Sequence, residues 1–213
     1  MLQLIDHLRS LRVACAVDAC GSSVSAAQVL HLSQSSVVRA IQALERILDG
    51  VLFDRSGRGM AATDVGKALA LRTRRALAHI ASVDGRGRKF NGSERLAWTG
   101  SRLAATVGAR HMAVLSALAN TASETASASL LGISQSAVHQ TLAQLEHMSG
   151  AALFQRGRKG LRVTEAGESV SRAFKLALAE LEQACDELAA HRGVVHGRLV
   201  SGTLPFSTGR LLS

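Results

Sequence analysis

The feature that most constrains this chain is that it contains itself twice. Displaced by 101 positions, Ser33-Gln34-Ser35 falls on Ser134-Gln135-Ser136, Leu44-Glu45 on Leu145-Glu146 and Leu52-Phe53 on Leu153-Phe154. In the same register Arg55 meets Arg156, Gly59 meets Gly160, Thr63 meets Thr164 and Gly66 meets Gly167, for 12 identities in the 34 positions from 33 to 66 without a gap. Chance agreement rarely holds one register for so long, so one structural unit is expected twice. At 213 residues the chain has room for two small domains, and its 47% hydrophobic content is ample for their cores.

Within each copy the pattern reads as helix, short helix, helix, hairpin, long helix. The second helix is predicted over about Ser25 to Leu30, and Ser33 then offers a hydroxyl to cap a helix starting at Gln34. This is a compact helix-turn-helix. On the third helix Val37, Ile41, Leu44 and Leu48 recur at helical spacing and should face inward, as should Val138, Leu142, Leu145 and Met148 in the second copy. The opposite face carries Gln34, Ser35, Val38, Arg39 and Gln42, or Gln135, Ser136, His139 and Gln140. A Gly- and Arg-rich turn follows each Leu-Phe pair, and an apolar stretch ending at Thr follows each turn, which suits a two-stranded wing. Thr63 and Thr164 are placed to cap long helices at about 64–84 and 165–192. The second of these has an apolar stripe at Val170, Phe174, Leu178, Leu181, Cys185 and Leu188, spaced to pack along another helix. Val65, Leu69, Ala76, Ile80 and Val83 make a weaker stripe on the first.

The expected architecture is therefore mostly α, two tandem winged helix-turn-helix domains each followed by a long linker helix. The divisions are 1–84 for the first, 85–108 for a Gly-, Ser- and Arg-rich inter-repeat linker, 109–192 for the second, and 193–213 for a segment of different character. Aromatics at 3% also favour helix over sheet.

A net charge of +9, from 25 Lys and Arg against 16 Asp and Glu, attracts polyanions, with nucleic acid ahead of an anionic membrane. No apolar run approaches the roughly 18 residues that span a bilayer, and the chain opens on an amphipathic pattern, so a cytoplasmic, nucleoid-associated location is expected. Cys15, Cys20 and Cys185 lack metal or disulfide spacing, and no phosphate-binding loop or nucleophile–base pairing is apparent. No enzyme activity, metal or cofactor is expected.

The spaced set Ala26-Ala27, Leu30, Ser33-Gln34-Ser35, Leu44-Glu45, Leu52-Phe53, Arg55, Arg58, Thr63 and Gly66 resembles the N-terminal domain of LysR-type transcription regulators. Thr125, Ala128, Leu131, Ser134-Gln135-Ser136, Leu145-Glu146, Gly150, Leu153-Phe154, Arg156 and Thr164 to Gly167 resemble it a second time. The resemblance implies double-stranded promoter DNA as partner and dimerisation through the long helix. It also implies an effector-binding domain, sensing a small molecule, whose truncated start is expected at 193–213. The sequence departs from the family's pattern at Val38 and His139, where a small hydroxyl residue is usual, and at Ala40 and Thr141, where Gln is usual. Ser23 and Glu124 replace an aromatic, and Asp49 replaces Gly; Asp tolerates the left-handed backbone a helix end requires.

The candidate DNA-binding residues are Ser33, Gln34, Ser35, Val38, Arg39, Arg55 and Arg58 in the first copy, with Ser134, Gln135, Ser136, His139, Gln140, Arg156, Arg158 and Lys159 in the second. Gln34 and Gln135 suit adenine edges in the major groove, Arg39 a phosphate, and the wing cations phosphates or a narrow minor groove. Arg55 and Arg156 directly follow the Leu-Phe pair, so their stems are equally placed to cover the core edge. Two arrangements of the long helices stay open, an internal pseudo-dimer or a homo-oligomer. The rival function is a protein-interaction or dimerisation module in which one copy no longer reads DNA.

Overall fold

A computed structural model describes residues 4–56, 59–84, 95–158 and 160–191, with the side chains of residues 55 and 56 excepted. The first copy runs α1 (Leu8–Cys20), α2 (Ser23–Leu30), α3 (Gln34–Leu48), β1 (Phe53–Ser56), β2 (Gly59–Ala62) and α4 (Asp64–Ala81). After α5 (Arg102–Thr106), the second runs α6 (Ala109–Thr121), α7 (Glu124–Leu131), α8 (Gln135–Ser149), β3 (Phe154–Gly157), β4 (Gly160–Val163) and α9 (Glu165–His191). The bounds of α6, α7, α8, β3 and β4 lie 101 residues beyond those of α1, α2, α3, β1 and β2, as the self-alignment requires. Two mostly helical units, each with one antiparallel hairpin, make a tandem winged helix-turn-helix architecture.

Local capping explains where the helices start. Ser22, Ser33 and Thr63 each accept an amide three residues on, at 3.0, 3.2 and 3.1 Å, and Ser123, Ser134 and Thr164 repeat this at 3.3, 3.2 and 3.1 Å. The α3 stripe of Val37, Ile41, Leu44 and Leu48 is buried, and so are Val138, Leu142, Leu145 and Met148 on α8. Asp49 ends α3 with φ 46°, in the left-handed region, where Gly150 (φ 73°) ends α8. Thr141, where the family usually has Gln, faces inward. It is buried, and its hydroxyl donates to Ala137 O at 2.7 Å, because its place on α8 is one residue before inward-facing Leu142.

The long helices α4 and α9 pack against each other. Leu69, Ala76, Leu77 and Ile80 on the first are buried, as are Val170, Phe174, Ala177, Leu181 and Leu188 on the second. At the edge of this seam the Arg72 guanidinium reaches Glu180 (3.0 Å), Gln183 and Glu187 (2.6 Å), three residues one turn apart on one face of α9. Those carboxylates hold the Arg72 guanidinium above its ordinary value, Glu187 first and Glu180 second.

Part of the 85–108 linker is folded. Ala97–Gly100 forms a 3-10 turn ahead of α5, and Trp98, Leu103, Ala104 and Val107 are buried. Arg12 of α1 in the first copy donates Nε to Ala104 O at 2.6 Å and Nη2 to Val107 O, satisfying carbonyls at the end of α5 in the linker. Burial lowers the Arg12 pKa to about 10, still far above neutrality, so the clamp stays charged. The segment 193–213, expected to open an effector domain, lies outside the described residues.

Candidate nucleic-acid interface

Each third helix presents a polar start that no other described residue buries. Ser33, Gln34, Ser35 and Arg39 are exposed, and so are Ser134, Gln135, Ser136, His139 and Gln140; Val38 is half-buried. Hydrogen bonds pre-arrange these side chains. Ser33 Oγ lies 3.0 Å from Ser35 Oγ and 2.8 Å from Ser36 Oγ, and Arg39 donates to Ser36 Oγ at 3.4 Å. Ser134 Oγ lies 2.9 Å from Ser136 Oγ. Gln34 Nε2 donates to Ser23 Oγ at 3.2 Å, whereas His139 Nδ1 lies 3.2 Å from Glu124 Oε1.

The wings are bolted to the helices by the residues that define the repeat. Glu45 Oε1 accepts the amides of Leu52 (2.9 Å) and Phe53 (3.3 Å), and Glu146 Oε1 accepts those of Leu153 (2.8 Å) and Phe154 (3.4 Å). The first strand of each wing is thus fixed to the end of the recognition helix, with Leu52, Phe53, Leu153 and Phe154 buried beneath it. The second strand is tied to the turn before the second helix. Met60 donates its amide to Gly21 O at 2.9 Å, and Leu161 to Ala122 O at 2.8 Å. At Gly59 (φ 136°) and Gly160 (φ 120°) an added Cβ would stand 2.5 and 2.6 Å from those same two carbonyls, so both positions require glycine.

The wing cations divide by position. Arg156, opposite Leu161 in the hairpin, and Arg158 in the turn are exposed. The Arg55 backbone pairs with Met60, but its side chain, like Arg58 and Lys159, lies outside the described residues. Sequence reasoning noted Ser23 and Glu124 as departures from the family pattern without giving them a role. Both now touch the recognition helix. Their place in the first turn of the second helix, which crosses the third, was the available signal.

Among the described residues no cluster of three or more His, Cys, Asp or Glu side chains is placed to hold a metal ion, and no helix is long and apolar enough to cross a membrane. The Cys15 thiol is pushed up to about 12 by burial, and burial also raises Cys20 and Cys185. Such thiols are poor nucleophiles.

The fold and its exposed helix starts define a tandem winged helix-turn-helix protein. This chain belongs to the LysR family of bacterial regulatory helix-turn-helix proteins, whose pattern it matches at residues 8–67 and again at 109–168. It is 32% identical over 211 residues to the HTH-type transcriptional regulator GalR of Pseudomonas putida, covering 98% of this chain and 50% of that protein. It is similar to the HTH-type transcriptional regulator TfdT of Cupriavidus pinatubonensis, 39% identical over 74 residues, with 35% of this chain and 32% of that protein covered. A third relative is the RuBisCO operon transcriptional regulator of Allochromatium vinosum, 36% identical over 113 residues, with 50% of this chain and 36% of that protein covered. The chain thus spans about half the length of the first relative and less of the others. No solved structure matches. All three relatives are named as transcriptional regulators, a family that is not enzymatic, in keeping with the expectation that this chain is no enzyme.

Proposed function

We propose that the chain regulates transcription by binding double-stranded DNA sequence-specifically, as an internal pseudo-dimer. On this reading α3 and α8 enter major grooves, and the wings lie against the backbone or the minor groove. The observation that carries the proposal is the pairing of α4 with α9, which joins two uncovered polar helix starts within a single chain. A family dimer brings two such domains together through two linker helices, and here both helices belong to one molecule. Tethering favours this arrangement, since a short linker gives an effective concentration on the order of millimolar. The working compartment is then the cytoplasm, at the nucleoid. Effector sensing, which the family resemblance attaches to a further domain, is not ascribed to residues 4–191.

Selection of bound duplexes from a random pool tests the proposal. Replacing Gln34 or Gln135 by Ala should relax base preference in its own half-site by about 1–3 kcal/mol, whereas Arg39→Ala should weaken all sequences evenly. Binding by the wild type should fall steeply with salt. A selected site unchanged by Gln135→Ala would remove α8 as a base reader through that residue. Absence of salt-dependent, saturable binding to any duplex would favour the protein-interaction module instead.

A further inference from the structure

We infer that Glu124 is a specificity-determining residue of the second copy and that the base it selects is cytosine. The inference rests on the DNA-reading role proposed above and deepens it. Its starting point is an asymmetry between two units whose elements match at an offset of 101 residues. The first residue of the short second helix is Ser23 in one copy and Glu124 in the other. Ser23 accepts from Gln34, the first residue of its recognition helix. Glu124 instead meets His139, a full turn further along, at 3.2 Å.

The carboxylate therefore stands among the residues that would read bases. It borders an open hollow of about 430 Å³ with Gln135, Ser136, His139 and Gln140. It also borders a second hollow, of about 510 Å³, shared by Gln135 and wing residue Arg156. Glu124 thus sits where recognition helix and wing converge, beside the path of any groove edge that α8 enters. The His139 side chain, 67% exposed, lies with Nδ1 3.2 Å from Oε1 of the Glu124 side chain, which is itself 20% exposed. Among the described residues Oε2 has no partner.

A carboxylate only accepts hydrogen bonds, and that decides the base. In the major groove guanine shows two acceptors, N7 and O6, and thymine shows O4, all of which repel it. Adenine offers its N6 amine beside the N7 acceptor, an edge made for an amide that both gives and takes. Cytosine alone offers an amine, N4, with no acceptor on its own edge. The same negative charge repels nearby phosphates and lowers affinity for every sequence, which the basic wing offsets.

The test is duplex selection with the full chain carrying Glu124→Gln, Glu124→Ser or Ser23→Glu combined with Val38→His, each first shown to match the wild type in circular dichroism and melting. In the second half-site the wild type should prefer cytosine at one position by about tenfold, the lower part of the range for a good base contact. Glu124→Gln should turn that preference toward adenine, Glu124→Ser should abolish it, and Ser23→Glu combined with Val38→His should create a cytosine preference in the first half-site. Selected sites unchanged by either Glu124 variant would overturn the inference while leaving DNA reading intact. So would a uniform gain in affinity with unchanged sequence, which would make Glu124 merely a repellent charge. If the wild type binds no duplex even at low salt, the DNA-reading proposal itself fails and this inference with it.

Discussion

At the scale of single residues, two of the identities shared by the copies mark places where geometry leaves no choice. Gly66 and Gly167 show this best. A Cβ at Gly66 would stand 2.1 Å from Leu52 O, and one at Gly167 would stand 2.2 Å from Leu153 O, so the start of each long helix presses directly on the strand-leading backbone. Gly66→Ala should destabilise the chain by about 3 kcal/mol, as overpacking against backbone does, read as a lower urea midpoint. An unchanged midpoint would mean that the contact relaxes freely. Ala122 is the opposite case. It holds φ 54° where Gly21 holds φ 68° in the first copy, and a left-handed backbone strains an alanine. Ala122→Gly should therefore raise stability by about 0.5–1 kcal/mol in the same titration, since glycine's extra unfolded-state freedom cancels part of the relief. A loss of stability would show that the alanine methyl is worth more in packing than its backbone costs.

At the scale of elements, the α4–α9 seam depends on which helix faces which. Arg72 serves Glu180, Gln183 and Glu187 together, but its counterpart in the second copy is the buried Ala173, so the charge pattern belongs to the mixed pair. Arg72→Glu should lower the melting temperature by placing like charges together at a half-buried edge, and Glu187→Arg in the same chain should restore part of it. If the double variant melts no higher than the single one, the ion pairs do not hold the seam. These elements also show what the sequence can reveal. The inward stripe of α3, the caps at Ser33, Thr63 and Thr164 and the wings are local signals, and the structure has them where the pattern put them; on α9 Val170, Phe174, Leu181 and Leu188 are buried as expected, while Leu178 and Cys185 are half-buried and Ala173, Ala177 and Ala184 fill the seam beside them. The fold of residues 97–107 is not a local signal. Trp98, Leu103 and Val107 are scattered among Gly, Ser and Arg, and their burial depends on contacts such as Arg12, more than ninety residues away, capping two of the segment's carbonyls. The Glu124–His139 contact was hidden for the same reason, because it depends on how two helices cross.

At the scale of the whole molecule, Phe174 tests whether one chain closes on itself. Its side chain is 3% exposed in α9, and Phe174→Asp would put an unpaired charge there. Small-angle scattering with light scattering should show a compact wild-type monomer and an extended variant of the same mass. A wild-type dimer that splits into compact monomers on this substitution would rule out internal pairing. The 101-residue repeat has a consequence in heredity. In a homodimer every substitution arrives twice and both heads change together, so the two halves of a recognised site are bound to stay alike. Here each head has its own stretch of gene, and a change such as the one separating Ser23 from Glu124 is felt once. The two heads are free to diverge, one keeping an old target while the other drifts toward a new one.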